Sequence, residues 1–272
     1  MREFDQTAGL NFVFFAKIVV GRLVRSHDPR EWPTAAGLTL RMSFQPRRTV
    51  FHFRSAKWAI DNIIKRRLKV SVFGNVNDPQ ELRVAKLGGF LPEESALLPK
   101  SVSELFGITC FSQTWDIPRM WVDYGDNHRG ICLGLEINRQ KLTRVRYVAS
   151  EETVPIPARL YKDFSTAVNS TRMVTPTLHR KFHPHLLRVL TTKLHGWEHE
   201  QEWRAFPQLE IAENGMYFSD FRSSRIRLKS VILGMHCVTP AKEIRELVGT
   251  YRGSVRIWKV VEHDAGRTLV PA

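Results

Sequence analysis

The stretch GITCFSQTWDIPRMWVDYGDNHRGICLGLEI, residues 107–137, predicts a strand, a short helix and a second strand. Pro118 lies near the first turn of the expected helix, where a missing backbone N–H costs nothing. The turn residues at 125–127 end that helix. GICLGLEI, residues 130–137, is almost wholly apolar, so we expect this strand to be buried on both faces.

The patterns on either side of this stretch predict an α+β fold with a mixed sheet and flanking helices. TVFHFRS (49–55) alternates as a half-buried strand does, and apolar residues then recur at helical spacing over 56–71. HPHLLRVLTTKLHG (183–196) predicts a helix that ends at Gly196. A further helix is expected at 239–249, between strands at 225–234 and 254–261.

Residues 1–48 have few regular signals, so we expect an N-terminal appendage followed by one α+β catalytic-type domain over 49–272. The apolar run at 10–21 is too short to cross a bilayer and contains Lys17. The three cysteines are widely spaced and lie among apolar neighbours, which favours buried free thiols. We therefore expect a soluble cytoplasmic protein with no membrane partner.

The chain is strongly basic, with a net charge of +14 and a pI near 10.1, which favours a polyanionic partner. Nucleic acid is the first candidate, and an anionic cofactor or a membrane surface is the second. A helix is expected to begin at residue 56, and its apolar face should pack against the core. The basic run that follows should therefore be exposed. This run is the candidate nucleic-acid surface, unless it is merely solvated; it comprises Lys65, Arg66, Arg67 and Lys69.

The acidic stretch HGWEHEQEWRAF, residues 195–206, allows three interpretations. In a helix, His195, Glu198 and His199 would form the H-x-x-E-H pattern of some zinc hydrolases, but Gly196 disfavours an unbroken helix there. In a strand, alternate side chains share one face, so a cluster of carboxylates results and Arg204 can pair with one of them. A solvated charged turn is the third interpretation.

Several ordered blocks resemble a bacterial family known as domain of unknown function 2971. These blocks are FHFRS, NVNDPQE, CFSQTWDIPRMWVDYGDNHRGICLG and WEHEQEWR, and together they span about residues 50–235. Several blocks in a fixed order are far more specific than any single one. The resemblance implies a common fold without assigning an activity.

A second resemblance is to the Arg–Ser–Glu type of mono-ADP-ribosyltransferases, which implies an ADP-ribosyltransferase-like mixed sheet core and NAD as the substrate. It implies that Arg54 holds the dinucleotide phosphates and that Ser112 anchors the nicotinamide half. Glu202 would then bind the nicotinamide-ribose hydroxyl, and Glu200 would activate the acceptor. The sequence departs from that signature, because only CFS stands where Ser-Thr-Ser is usual and EQE continues into WR.

Two more residues are candidates for the cofactor site. Tyr124 could stack on the nicotinamide, although an amphipathic core tyrosine is the alternative. His52 lies on the same strand face as Arg54, and a hydrogen-bonded core histidine is the equal alternative.

The leading hypothesis is an NAD-consuming, ADP-ribosyltransferase-like protein, of the kind found among bacterial toxins and antiviral defence effectors, that acts on nucleic acid. One alternative is a non-enzymatic nucleic-acid-binding or sensor domain, in which the acids are structural. The other alternative is a metal-dependent hydrolase.

Overall fold

The protein is described from a computed structural model. The structure describes residues 46–72, 85–87, 107–149, 154–156, 159, 184–185, 187–207, 209, 211–264 and 266–272. The chain divides into two compact units. One unit comprises residues 1–44, 72–107 and 148–193, and the other comprises 45–71, 108–147 and 194–272. Almost all of the expected N-terminal appendage and the whole NVNDPQE block lie outside the described residues.

The described parts of the chain are rich in strands. In chain order they are β1 (Arg47–Arg54), β2 (Arg67–Val70), β3 (Ala85–Leu87), β4 (Thr109–Ser112), β5 (Ile131–Asn138), β6 (Thr143–Arg144), β7 (Arg146–Val148), β8 (Val154–Ile156), β9 (Thr192–Leu194), β10 (Glu202–Ala205), β11 (Ile211–Glu213), β12 (Met216–Asp220), β13 (Arg227–Leu233), β14 (Arg256–His263) and β15 (Gly266–Pro271). The α-helices with defined bounds are α1 (Ala56–Lys65), α2 (Pro118–Asp123) and α3 (Ala241–Val248). Short 3₁₀ helices span Arg139–Lys141 and His195–Glu200.

Eight strands form the main sheet, in the order β15-β14-β13-β5-β1-β4-β10-β6. The pairs are antiparallel except for β13 with β14, which are parallel, so the sheet is mixed. A separate three-stranded sheet has the order β11-β12-β2, and β3 pairs with β8 in parallel. The expected α+β class with a mixed sheet is therefore confirmed.

Apolar side chains on the two faces of β5 explain why this strand is central. Leu133 and Leu135 belong to the core cluster that also contains side chains of α1 and α3. Cys132 lies in a second cluster with Met120 and Trp121 of α2. The prediction that β5 is buried on both faces is thus confirmed, because alternate side chains enter different clusters.

The helix expected over 56–71 is shorter than its apolar spacing predicted. It ends at Lys65, and Arg66 adopts a left-handed conformation with φ of 49°. The chain then continues as β2, which pairs with β12. A left-handed residue stops a helix, and local spacing cannot reveal this when the residue is not glycine.

The expected end of the second long helix at Gly196 is wrong. Helical residues occur at 184–185 and 187–190, but β9 follows at Thr192–Leu194. Gly196 lies inside the 3₁₀ helix His195–Glu200. The strand interpretation of the acidic stretch is therefore correct only for Glu202–Ala205.

Glycines at the ends of the central strands allow close approach of other backbone segments. A Cβ atom on Gly130 would clash with the backbone oxygen of Arg54 and lie 2.7 Å from that of Gly125. Gly234 approaches the backbone of His128 in the same way. Backbone atoms cannot move aside as a flexible side chain can, so these positions exclude larger residues.

Gly130→Ala should lower the free energy of unfolding by about 1–3 kcal/mol, because the added methyl group overpacks a site bounded by backbone. Gly196→Ala is the matched control, since a Cβ there meets nothing within 4 Å. Urea unfolding followed by circular dichroism measures both changes. Equal stability of the two variants would contradict this account of the turn before β5.

Candidate functional site

The contact between β1 and β4 is unusually limited at the centre of the main sheet. β1 pairs with β5 along its full length, but its register with β4 contains only the pair Phe51 and Ser112. Beyond this pair, the Nδ1 atom of His52 lies 2.9 Å from the carbonyl oxygen of Cys110. A side chain thus connects the strands where the backbone ladder has ended, and we call this region the β1–β4 opening.

Hydrogen bonds assign the tautomer of His52. Arg54 donates from Nε to the Nε2 atom of His52 at 3.0 Å, so Nε2 is an acceptor. Nδ1 must then carry the hydrogen that is donated to the Cys110 carbonyl. Burial, and next the positive charge of Arg54, lowers the pKa of His52 to about 3. The ring is therefore neutral and fixed in orientation at neutral pH.

Arg54 is only partly buried and retains hydrogen-bonding capacity. Its Nε atom is used by His52, whereas its terminal nitrogens bond to no residue in the described part of the chain. Burial lowers its pKa, and the nearby Cys110 and Tyr124 act in the opposite direction. These influences place Arg54 within electrostatic range of both groups. An anion at the opening would satisfy its terminal nitrogens.

Glu200 and Tyr124 form the second contact of the site. Glu200 is 3% exposed at the end of the 3₁₀ helix, and Tyr124 donates from its hydroxyl to Oε1 at 2.5 Å. Tyr124 directly follows α2. Burial raises the pKa of Tyr124, as do the negative charges of Glu200 and Glu202. The phenol therefore stays protonated and acts as a donor.

Glu202 and Arg204 form a buried ion pair on one face of β10. Nε of Arg204 donates to Oε1 at 2.9 Å, and Nη2 donates to Oε2 at 3.0 Å. Their exposures are 2% and 1%. The expectation that Arg204 pairs with one of the glutamates is confirmed. The backbone N–H of Glu202 also donates to the Tyr147 hydroxyl at 2.9 Å, which fixes the start of the strand.

Gln201 separates the roles of the two buried glutamates. It adopts a left-handed conformation with φ of 45° between the 3₁₀ helix and β10. Glu200 and Glu202 therefore do not follow the alternation of one strand: Tyr124 donates to Glu200, and Arg204 donates to Glu202. Glu198, the first acid of the stretch, is exposed, and its carboxylate bonds only to His195 among the described residues, at 3.1 Å.

Ser112 and Cys110 lie on β4 beside this ion pair. Ser112 is fully buried, faces Glu202 in register, and accepts a bond from the Thr114 backbone N–H at 3.4 Å. Cys110 faces Arg204 and is exposed, which contradicts the expectation that all three cysteines are buried. Sequence analysis missed Cys110 as part of the site, because its exposure depends on the neighbouring strands.

The structure therefore brings the predicted cofactor and catalytic residues together in part. Direct contacts join His52 to Arg54, and Tyr124 to Glu200. Ser112 faces Glu202 across β4 and β10. Burial lowers the pKa of Arg54 and Tyr124 acts against this, while burial, Glu200 and Glu202 raise the pKa of Tyr124, so these groups influence one another electrostatically.

The residues of the zinc pattern are placed differently. His195 contacts Glu198, whereas Nε2 of His199 lies 3.8 Å from Oδ2 of Asp123. Across the ranges that the structure describes, no group of three or more His, Cys, Asp or Glu side chains is arranged to hold a metal ion.

The expected nucleic-acid surface is partly neutralised by acids from other segments. Arg67 is only 9% exposed and contacts Glu213 at 2.5 Å and Asp61 at 3.4 Å, so the expectation that it is exposed is wrong. Lys65 contacts the same two acids at 2.9 and 3.3 Å. Arg67 and Lys65 together lower the pKa of Glu213 to about 2. Glu213 is distant in sequence, so local charge counting could not include it.

The other two residues of that surface keep their positive charges without an acidic partner in the described residues. Arg66 donates to the Thr250 carbonyl at 2.7 Å, and Lys69 lies 5.9 Å from the centre of the Trp58 ring. Of the four basic residues, Lys65 and Arg67 form ion pairs with acids, whereas Arg66 and Lys69 form none with a described residue.

Comparison with known proteins supports part of the sequence resemblance. A family model described as "Protein of unknown function (DUF2971)" matches residues 120–205. This range contains the block from Met120 to Gly134 and the WEHEQEWR block, but it excludes FHFRS. No curated protein and no solved structure matches the chain. No helix in the described ranges combines the length and apolarity needed to cross a membrane.

The neutral state of His52 predicts a pH effect on stability. Its pKa of about 3 in the folded protein lies below the ordinary value of 6.5, so the unfolded chain binds a proton first as the pH falls. Stability should therefore be complete above about pH 6.5 and decline toward pH 3. His52→Gln removes the titrating group, so urea unfolding at several pH values should show a shallower decline. An identical decline in both proteins would contradict the neutral, buried state of His52.

The buried ion pair predicts an effect of Glu202→Gln on stability. The substitution leaves the Arg204 charge buried without its carboxylate and should cost about 3–5 kcal/mol of unfolding free energy. Glu198→Gln is the matched control, because that side chain is 65% exposed. Chemical denaturation measures both changes. A cost below about 1 kcal/mol for Glu202→Gln would show that Arg204 is satisfied in another way.

Proposed function

We propose that this chain is an ADP-ribosyltransferase-like protein that consumes NAD at the β1–β4 opening. The observation that carries the proposal is the position of Arg54. Its terminal nitrogens bond to no described residue, and it lies within electrostatic range of Tyr124, which binds Glu200. A cationic donor for phosphate beside a carboxylate is the combination that cleavage of a dinucleotide requires.

NAD suits this donor set in three respects. The terminal nitrogens of Arg54 can bind the pyrophosphate, and the neutral ring of His52 holds the guanidinium in place. The ring of Tyr124 offers a surface for the nicotinamide. The resemblance assigns Glu202 to a ribose hydroxyl, and this residue faces Ser112 across β4 and β10.

The proposed reaction uses these residues in the roles that the resemblance implies. The bond between the ribose C1′ and the nicotinamide nitrogen breaks, and its electron pair leaves with nicotinamide. Carboxylates stabilise the positive charge that develops on the ribose. An acceptor oxygen then bonds to C1′ and gives its proton to Glu200, which acts as the base. In the competing hydrolysis a water bonds to C1′ and releases its proton to the solvent. The products are nicotinamide and an ADP-ribosylated acceptor or free ADP-ribose.

We extend the proposal to a role as a bacterial toxin or antiviral defence effector with nucleic acid as the acceptor. The resemblance to Arg–Ser–Glu transferases supports the first part, and the net charge of +14 supports the second. A non-enzymatic nucleic-acid-binding domain is the second candidate. This second candidate is favoured by three arginines at one end of the main sheet, Arg48, Arg139 and Arg144.

Incubation of the purified protein with NAD tests the proposal through release of nicotinamide. Arg54→Gln should raise the KM for NAD, because it removes the bidentate donor. Glu200→Gln should reduce transfer to an acceptor by at least about 10²-fold, and hydrolysis by less, because only acceptor activation is lost. Glu198→Gln is the matched control and should behave as the wild type does.

Two outcomes would contradict the proposal. Wild-type kinetics in Arg54→Gln would remove Arg54 from the site. A folded wild-type protein that neither binds NAD nor releases nicotinamide would leave the nucleic-acid-binding candidate.

A further inference from the structure

Three arginines converge at the end of the main sheet where β1 begins and β5 ends. The Cζ atoms of Arg48 and Arg139 lie 4.1 and 4.4 Å from the centre of the Trp203 ring. Arg144 faces Trp203 in the ladder of β10 with β6. We call Arg48, Arg139 and Arg144 the arginine cluster.

The arginine cluster lacks compensating negative charge. None of its members forms an ion pair with an acid in the described ranges. The pKa of Arg48 is lowered by burial and then by the positive charges of Arg139 and Arg144. The three positive charges repel one another, and an anion that binds between them would relieve this repulsion.

Two unsatisfied donors support the same conclusion. The Nε atom of Arg48 and the Nε1 atom of Trp203 are buried and have no hydrogen-bond partner among the residues that the structure describes. The Trp203 side chain is 3% exposed. Buried N–H groups are almost always bonded, so these two donors indicate acceptors, such as a water or a phosphate oxygen, that the described residues do not supply.

Further basic residues extend from the arginine cluster along the same end of the sheet. Arg47 donates to the carbonyl oxygen of Arg225, and Lys141 donates to that of Ser224. Glu136 is the acid that pairs here, and it is shared by Arg47 and Arg227 at 3.5 and 3.4 Å. These basic residues are too many to bind a single phosphate group. Their number suits a polymer that carries a phosphate at every repeat.

We propose that the arginine cluster binds the phosphate backbone of a nucleic acid, and that Lys141 and Arg225 contact the adjacent phosphates. This inference deepens the nucleic-acid part of the proposed function, but it does not depend on NAD turnover. The guanidinium groups provide paired N–H donors for phosphate oxygens, which position the polymer without reading its sequence. Trp203 is too buried to stack on a base, so its role is to hold the arginines.

The surface near α1 is a weaker candidate for the same polymer. Arg67 and Lys65 are engaged by Asp61 and Glu213, so a phosphate there must displace carboxylates. This difference provides a matched control within one protein.

The test compares two double variants that each remove two positive charges. Binding of a fluorescent 30-nucleotide RNA is measured at several salt concentrations for Arg139→Gln with Arg144→Gln, and for Lys65→Gln with Arg67→Gln. The first variant should bind at least about tenfold more weakly, and the magnitude of its salt slope should fall by about 1.4. The second should keep the wild-type slope. Arg139→Lys with Arg144→Lys retains charge and should keep most of the affinity.

A second measurement on the wild-type protein guards against misfolding of the variants. Phenylglyoxal modifies accessible arginines, and bound RNA should protect Arg139 and Arg144 more than Arg119, which lies on α2. Unchanged salt slope in the arginine-cluster variant, an equal effect in the control variant, or absent protection would each overturn the proposal. Binding of polyglutamate with the wild-type affinity for RNA would overturn it in favour of an acidic protein partner.

NAD turnover separates this proposal from the preceding one. The arginine-cluster variant should release nicotinamide at the wild-type rate without an acceptor, and Arg54→Gln should bind RNA normally. Loss of RNA binding in Arg54→Gln, with the wild-type slope in the arginine-cluster variant, would assign the polymer to the β1–β4 opening instead.

Discussion

The hydrogen bond from His52 to the Cys110 carbonyl is the interaction on which the proposed site depends. β1 and β4 share only one pair in register, and this bond connects them beyond it. Because burial keeps the ring neutral, Arg54 can donate to its second nitrogen. One buried imidazole thus keeps the strands connected and orients the Arg54 guanidinium.

Burial of charge on β10 imposes the second constraint. Glu202 and Arg204 form an ion pair. Glu200 lies before the left-handed residue Gln201 and accepts a hydrogen bond from the Tyr124 hydroxyl. Two carboxylates only two residues apart therefore have different surroundings. Such a difference in environment is what allows neighbouring acids to take different chemical roles.

The sequence predicted the elements whose signal is local. Apolar runs identified β1, β4, β5, β13 and β14, and the proline and turn residues identified α2. It did not predict the ends of α1 and of the helix before β9, since these depend on left-handed Arg66 and on strand pairing with distant segments. Within the site, the pairing of Arg204 was predictable from spacing, but the exposure of Cys110 and the partners of Arg67 were not. Both depend on residues far away in the chain.

The central claim is that the β1–β4 opening receives NAD. The most direct measurement is a crystal structure of the protein with a non-cleavable NAD analogue. The account predicts pyrophosphate oxygens within hydrogen-bonding distance of the terminal nitrogens of Arg54, with the nicotinamide ribose next to Glu200 and Glu202. An analogue that binds elsewhere, with Arg54 making no contact to it, would contradict the account.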